Sequence, residues 1–195
     1  MIMLARQLET ARLCLREPRP GDAEQVFAGY GARADVLRFL DWPVQVSVEE
    51  TRRLLSYETH RWLKGVAWVW MLTCRTSGQV IGQIELKPAS LPAETSHVVR
   101  LGYVLSPTSQ GQGLMQEAVE SVLAQAWAVL PHVWRVEAWC DVDNEPSARL
   151  LGRAGFVREG LARRALLHPH ASPHPRDAWL YAFTRDQLAA PSSAT

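Results

Sequence analysis

Between Val66 and Pro131 the chain changes its hydrophobic period once, and that change limits the folds open to it. The stretches "VAWVWMLTC" (66–74), "QVIGQIELK" (79–87) and "HVVRLGYVL" (97–105) are rich in β-branched and aromatic residues, with Ser77-Gly78 as a turn between the first two. They predict three consecutive antiparallel strands. From 113 to 130 the period becomes helical. Met115, Ala118, Val119, Val122, Ala126 and Leu130 recur three or four apart, Gln116, Glu117, Glu120 and Gln125 fall elsewhere, and Pro131 closes the segment. Strands therefore feed a core helix through the glycine-broken loop "SPTSQGQG".

The flanking segments complete an α+β pattern. "ARLCLRE" (11–17) alternates like a strand with unlike faces. Asp22 with Gln25, after a turn at Pro20-Gly21, predicts a capping-box helix start, and Ser47 with Glu50 predicts a second one ahead of Leu54, Leu55, Glu58 and Trp62. Beyond the core helix come a strand, "VWRVEAWC" (133–140), and a short helix. That helix is capped by Asn144 or Asp143, has Pro146 in its first turn and stops at Gly155. "RDAWLYAFTRDQL" (176–188) adds a last strand. Residues 1–188 are thus expected to form one domain with a mixed sheet, and 189–195 a mobile polar tail.

Charge and cysteine usage narrow the partners. The 21 Lys and Arg nearly cancel the 20 Asp and Glu, and no basic run is long enough to form a patch for nucleic-acid phosphates. Cys14, Cys74 and Cys140 are odd in number, far apart and set in apolar runs, as reduced core residues are. The N-terminus is too short in its apolar part for a signal peptide, and no apolar run approaches the roughly 18 residues of a membrane span. No nucleic acid, no membrane and a cytoplasmic location are expected.

Gly111 and Gly113 precede the core helix, whose first amides lack partners within the helix and carry the positive end of its dipole. A phosphate would suit that end. A dinucleotide fingerprint would need glycine where Gln116 stands, and a nucleotide P-loop would need Gly-Lys-Ser/Thr where Leu114, Met115 and Gln116 stand. Taken alone, the glycine pair is equally compatible with a tight turn that binds nothing.

The run "LGYVLSPTSQGQGLMQEAV", followed by "VEAWCDVDNEPSARLLGRAGFVREG", resembles the GNAT N-acetyltransferases, in the branch of the RimJ and RimL ribosomal-protein acetyltransferases. "LETARLCLRE", "RFLDWP" and the closing "RDAWLYAFTRDQL" extend the resemblance over nearly the whole chain. It implies the GNAT fold, a mostly antiparallel central sheet flanked by helices on both faces. It also implies acetyl-CoA as cosubstrate, no metal, and a homodimer as a common assembly. The family's pyrophosphate loop falls on Gln110, Gly111, Gln112, Gly113, Leu114 and Met115, although a small residue is expected in place of Met115. In that family the strand 97–105 splays from its neighbour, commonly at a bulge, which implies backbone contacts to the pantetheine arm at Val104 and Leu105. The Asn-x-x-Ser motif falls on Asn144, at the cofactor arm or substrate, and Ser147, near the sulfur as general acid. From the residues alone, both also suit a helix N-terminus.

Acetyl transfer needs a neutral amine, a polarised carbonyl and a proton for the thiolate. Many members of the branch carry Glu where this chain has Arg100. Either Glu85 then acts as base through water, or the acceptor brings an acidic group for Arg100; Glu85 equally reads as a solvated strand residue. His97 reads as a groove residue or a surface histidine. Most of the eight tryptophans read as core, with Trp42 in "LDWPV" as the candidate acceptor contact. His168, His170 and His174 in "HPHASPHP" are interrupted by proline, which argues against a metal site and for a flexible loop near the substrate mouth. The expectation is an acetyl-CoA-dependent N-acetyltransferase acting on a peptide N-terminus or a small-molecule amine; the alternative is a catalytically silent acyl-CoA-binding protein.

Overall fold

The computed structural model describes residues 4–188, so the tail 189–195 lies outside the described residues. Eight strands form one sheet: β1 (Gln7–Glu9), β2 (Leu13–Arg16), β3 (Trp68–Cys74), β4 (Val80–Pro88), β5 (Val98–Leu105), β6 (Arg135–Asp141), β7 (Val157–Leu166) and β8 (Arg176–Thr184). Their spatial order is β1-β2-β3-β4-β5-β6-β8-β7. Among these pairs β5–β6 is parallel and the rest are antiparallel. Helices α1 (Ala23–Val26) and α2 (Val48–Leu63) pack over β4 and β3, while α3 (Leu114–Val129) and α4 (Glu145–Arg153) cover β1, β2, β6 and β7 on the other face. This is the mixed α+β arrangement that the sequence predicts.

The two faces carry separate cores. On the α3 side, Leu13, Leu15, Trp70, Leu72, Ile84 and Leu86 meet the helical stripe Ala118, Val119, Val122 and Ala126, all buried. On the α1 side a smaller cluster gathers Val26, Tyr30, Leu55, Met71 and Val104. Alternation within β3 sends Trp70 and Met71 to opposite faces, which is how one strand feeds both cores.

Both predicted helix starts are in place, with Ser47 and Asp22 at the N-cap positions of α2 and α1, but only Ser47 caps with its side chain. Ser47 Oγ accepts from the Glu50 amide at 3.2 Å and Glu50 Oε2 accepts from the Val46 amide at 2.7 Å, closing the first turn of α2. At α1 a 3-10 turn, Pro20–Asp22, comes first. Asp22 there receives Arg16 Nη1 and Nη2 at 2.8 and 2.7 Å and the Arg19 amide at 2.9 Å, and Gln25 instead accepts from the Val80 amide at 2.8 Å. A half-buried guanidinium needs a counterion, and a charge-assisted two-pronged pair outweighs a neutral cap.

The parallel ladder is short. It holds Val98↔Arg135, Val99↔Val136 and Arg100↔Glu137 and then ends, while β5 stays paired with β4 as far as Leu105. Neither ladder contains a register shift, so the strands part without the bulge that the resemblance implies. β6 keeps seven residue pairs with β8 and follows the twist of that ribbon away from β5.

Gly82 fixes the other side of this split. A Cβ at Gly82 would lie 2.3 Å from the Val104 carbonyl oxygen and 3.1 Å from Leu105 Cα, both backbone atoms. Gly82→Ala is therefore expected to push β5 off β4, costing about 2 kcal/mol and lowering the melting temperature by about 6 °C. Gly102→Ala, with nothing within 4 Å, is the control. Equal melting temperatures for the two variants would refute the close approach.

Candidate functional site

The split opens a cleft of about 540 Å³ that passes through the sheet. Its walls come from the segment after α1 (Asp35, Val36, Phe39, Leu40), the end of β5 (Tyr103, Val104, Leu105), the glycine loop and α4. At one end Gly111 and Gly113 both have φ +74°, the left-handed region that favours glycine. Gln110 Nε2 donates to the Leu105 carbonyl and Gln112 Nε2 to the Thr108 carbonyl, each at 2.9 Å, so these side chains hold the loop's shape. No side chain caps the first turn of α3. Its amides and its dipole present an anion site beside Leu114 and Met115. Met115 itself is only 5 % exposed, with its side chain in the core. The loop thus accommodates a large residue by turning it inward.

Three cations near this end escape sequence reading. Arg12, in the turn between β1 and β2, donates Nη1 to the Gln112 carbonyl at 2.8 Å and pairs through Nε with Glu117 at 2.7 Å. Glu117 also accepts from the Thr10 hydroxyl and the Arg12 amide, tying that turn to the loop. No local pattern marks a contact between residues so distant in sequence. Arg149 and Arg153, four apart on α4, line the cleft, and Arg153 Nε donates to Gln116 Oε1 at 3.1 Å. Their helical spacing was a usable signal.

Farther along the cleft, Asn144 Oδ1 accepts from the Ser147 amide at 3.3 Å, so Asn144 caps α4 and borders the cleft at once. Ser147 Oγ lies 2.7 Å from the Tyr103 hydroxyl. Tyr103 is the functional candidate that sequence reading missed. It alternates with Gly102 and Val104, and its ring points to the α3 side with Leu101 and Leu105. Burial pushes its phenol above the ordinary range, against the opposing pull of the Ser147 hydrogen bond. Cys140 Sγ sits close by, donating to the Asn144 carbonyl at 3.4 Å, and burial raises its thiol too.

The remaining sequence candidates scatter. Glu85 is on the α2 face, where Arg61 Nη2 engages Oε1 at 2.8 Å and also pairs with Glu58 at 2.7 Å. Arg100 is half exposed, 3.7 Å from Glu137, which in turn pairs with Arg135 at 2.9 Å. His97 is exposed just before β5, at the end remote from Tyr103, about 20 Å away by strand rise. Trp42 packs at the edge of the smaller core, and its carbonyl accepts from His170 Nε2 at 2.8 Å.

The histidine segment differs from expectation. His168 is 4 % exposed, not a residue of a solvated loop. Its Nδ1 lies 2.9 Å from Asp141 Oδ2, and its ring meets Phe39 edge to face at 6.2 Å. Arg176 Nε and Nη2 reach the same Asp141 carboxylate at 2.5 and 2.9 Å. The prolines shape a turn that packs back on the sheet because a buried carboxylate draws both partners to it. Among the described residues no three His, Cys, Asp or Glu side chains gather to hold a metal ion, and no helix is long and apolar enough to cross a membrane.

Comparison with known proteins gives a consistent result. The family of the acetyltransferase (GNAT) domain matches residues 12–157. The uncharacterized N-acetyltransferase YoaA of Bacillus subtilis is 26% identical over 177 residues, covering 88% of this chain and 94% of its own length. The ribosomal-protein-serine acetyltransferase of Escherichia coli is 29% identical over 130 residues, covering 65% of this chain and 68% of its own. Among solved structures, the microcin C7 self immunity acetyltransferase MccE, in complex with acetyl-CoA and AMP, superposes with a TM-score of 0.79 at 17% identity, over 90% of this chain and 93% of that one.

Proposed function

The chain belongs to the GNAT acetyltransferase family, and from that premise we propose that it moves the acetyl group of acetyl-CoA directly onto the primary amine of an acceptor. The reading takes residues 1–188 as one acetyltransferase domain working in the cytoplasm. The observation that carries it is the split itself: β5 loses β6 after Arg100, and the cleft joins an uncapped helix turn at one end to a paired Tyr103 and Ser147 at the other.

Each part of acetyl-CoA has a matching feature. The pyrophosphate suits the amides from Gly111 to Gln116, with Arg149 and Arg153 as nearby cations for further phosphate charge. The amide-bearing pantetheine arm suits the free edge of β5 at Val104 and Leu105, where it would complete the interrupted ladder. The thioester then lies near Ser147. A backbone N–H polarises its carbonyl, the amine nitrogen forms the new C–N bond, and the C–S bond breaks as Ser147 protonates the sulfur. A serine hydroxyl alone is a weak acid; its 2.7 Å bond to the Tyr103 phenol lets it be reprotonated as it gives up its own proton.

For the acceptor we infer an α-amine, of a peptide or a small molecule. With a reference pKa near 8 it is about one-tenth neutral at pH 7, whereas a lysine-like amine near 10.4 is almost wholly charged. Arg100 is half exposed on the α2 face and favours an acceptor with a carboxylate near the amine. Arg100→Glu is expected to lower kcat/KM for such acceptors by about tenfold and to leave neutral ones unchanged. An unchanged acceptor profile would remove Arg100 from recognition. The reading as a whole is tested by acetyl-CoA calorimetry together with thiol release against a panel of peptides and small amines. Absence of binding defeats it, and binding without transfer leaves the silent acyl-CoA-binding protein.

A further inference from the structure

We infer that His168, held by Asp141, is the general base that takes the proton from the acceptor ammonium. The inference rests on the acetyl-transfer reading and supplies the base which that reading lacks.

The position follows from strand parity. Cys140 faces the α3 side, beside Ser147, so its neighbour Asp141 faces the α2 side at the end of β6, next to the opening of the split. The His168 Nδ1–H donates to Asp141 Oδ2 at 2.9 Å, which leaves the lone pair on Nε2. Nε2 has no hydrogen-bond partner among the described residues, and the side chain keeps 5% of its surface exposed. The ring rests against Phe39, which lines the same cleft as Tyr103 and Ser147. The proton acceptor thus sits on the α2 side, behind Phe39 of the cleft wall, and the hydroxyl pair on the α3 side.

The charged groups around the ring support this assignment. Asp141, itself fully buried, is paired with Arg176 from β8 and accepts the Asp143 amide at 3.0 Å, so it remains a carboxylate able to stabilise the imidazolium. From the segment after α1 come Arg38, 5.0 Å over the Phe39 ring, and Asp35 at the cleft wall. His170, in the same turn as His168, is engaged with the Trp42 carbonyl. Glu85, the other candidate base, has its Oε1 occupied by Arg61.

The balance is simple. The acceptor ammonium gives one N–H proton to Nε2, and the freed lone pair forms the C–N bond at the thioester carbon as the carbonyl π pair moves onto oxygen. Collapse re-forms the carbonyl and breaks C–S. The thiolate takes a proton from Ser147, the second nitrogen proton restores that hydroxyl by way of Tyr103, and the imidazolium returns its own to solvent. Net, one ammonium and one thioester yield an amide, a thiol and a proton.

The advantage of such a base is set by how much acceptor is already neutral. It is about tenfold at pH 7 for an α-amine and about a thousandfold for an amine of pKa 10.4. Two acceptors from the panel, differing in amine pKa, are to be followed from pH 6 to 10 with the wild type and with His168→Gln, alongside acetyl-CoA calorimetry. In the wild type the rising limb of kcat/KM is expected below the amine's own pKa and at the same pH for both acceptors. In His168→Gln it should move up to each amine's pKa, so that the loss is about tenfold for an α-amine at pH 7 and fades above pH 9, with acetyl-CoA affinity unchanged. A loss equal at every pH, or a wild-type limb that tracks each amine, overturns the proposal. The second criterion needs no variant and so survives a variant that fails to fold. If the wild type binds acetyl-CoA but acetylates nothing, the parent reading falls and takes this one with it; full transfer by His168→Gln removes this one alone.

Discussion

Ser147→Ala is expected to lower kcat by about a hundredfold while the dissociation constant for acetyl-CoA moves less than about threefold. The split between the two parameters follows from where the hydroxyl acts. It is paired with Tyr103 at the end of the cleft opposite the glycine loop that would hold the pyrophosphate, and it is needed when the C–S bond breaks. Tyr103→Phe removes the partner at 2.7 Å but keeps the ring, and should cost about tenfold. Because the two hydroxyls act as one donor, the double variant should be little worse than Ser147→Ala. Stopped-flow thiol release and calorimetry measure the two parameters. Additive losses in the double variant would mean that the pair does not share a proton, and a shift in acetyl-CoA affinity that matches the loss in kcat would recast Ser147 as a binding residue.

Arg176→Met should destabilise the protein by about 3 kcal/mol, because it leaves a fully buried carboxylate without its main counterion. The melting temperature at pH 7 should fall by about 9 °C. The pH dependence has a definite sign. Burial pushes the Asp141 carboxyl up, but hydrogen bonds from Arg176, the Asp143 amide and His168 prevail and hold it at about 2. A carboxyl depressed in the folded state stabilises the protein above its unfolded pKa near 3.9, and that contribution is lost as pH falls toward 2. The wild type should therefore keep this contribution at pH 5 and shed it between pH 4 and 2. In the variant the loss should begin at higher pH. Melting curves from pH 2 to 7 would expose a failure, namely identical acid limbs in the two proteins.

Much of the fold was legible from local pattern. The stripe of α3, the aromatic strands β3 to β5 and the Ser47 cap rest on interactions within a few residues, and each holds in three dimensions. β7 did not announce itself. It is an edge strand whose Val157 and Leu161 are exposed at 54% and 43%, so no apolar alternation was written into it, and its pairing with β8 is irregular after Arg158 and Ala162. β1 is three residues long, too short for any period.

At the site the same division recurs. The glycine loop and the Asn144 cap follow from backbone chemistry, which leaves a mark in sequence. Arg12 with Gln112, Tyr103 with Ser147 and Asp141 with His168 join residues brought together only by the sheet order. Nothing short-range encodes them. The histidine segment misled for a physical reason: proline argues against a regular element, but it does not prevent a turn from packing when a buried anion waits beneath it.

The short β5–β6 ladder has one more consequence. The sheet is two ribbons stitched by three residue pairs at the far end, like a zip drawn only partway up. Anything threaded into the open part acts as a wedge that also bonds to the teeth. A ligand lying there would lock the ribbons to each other, so its arrival should be felt as stiffening at a distance, in slower hydrogen exchange of the β6 and β8 amides as well as in the loop that touches it.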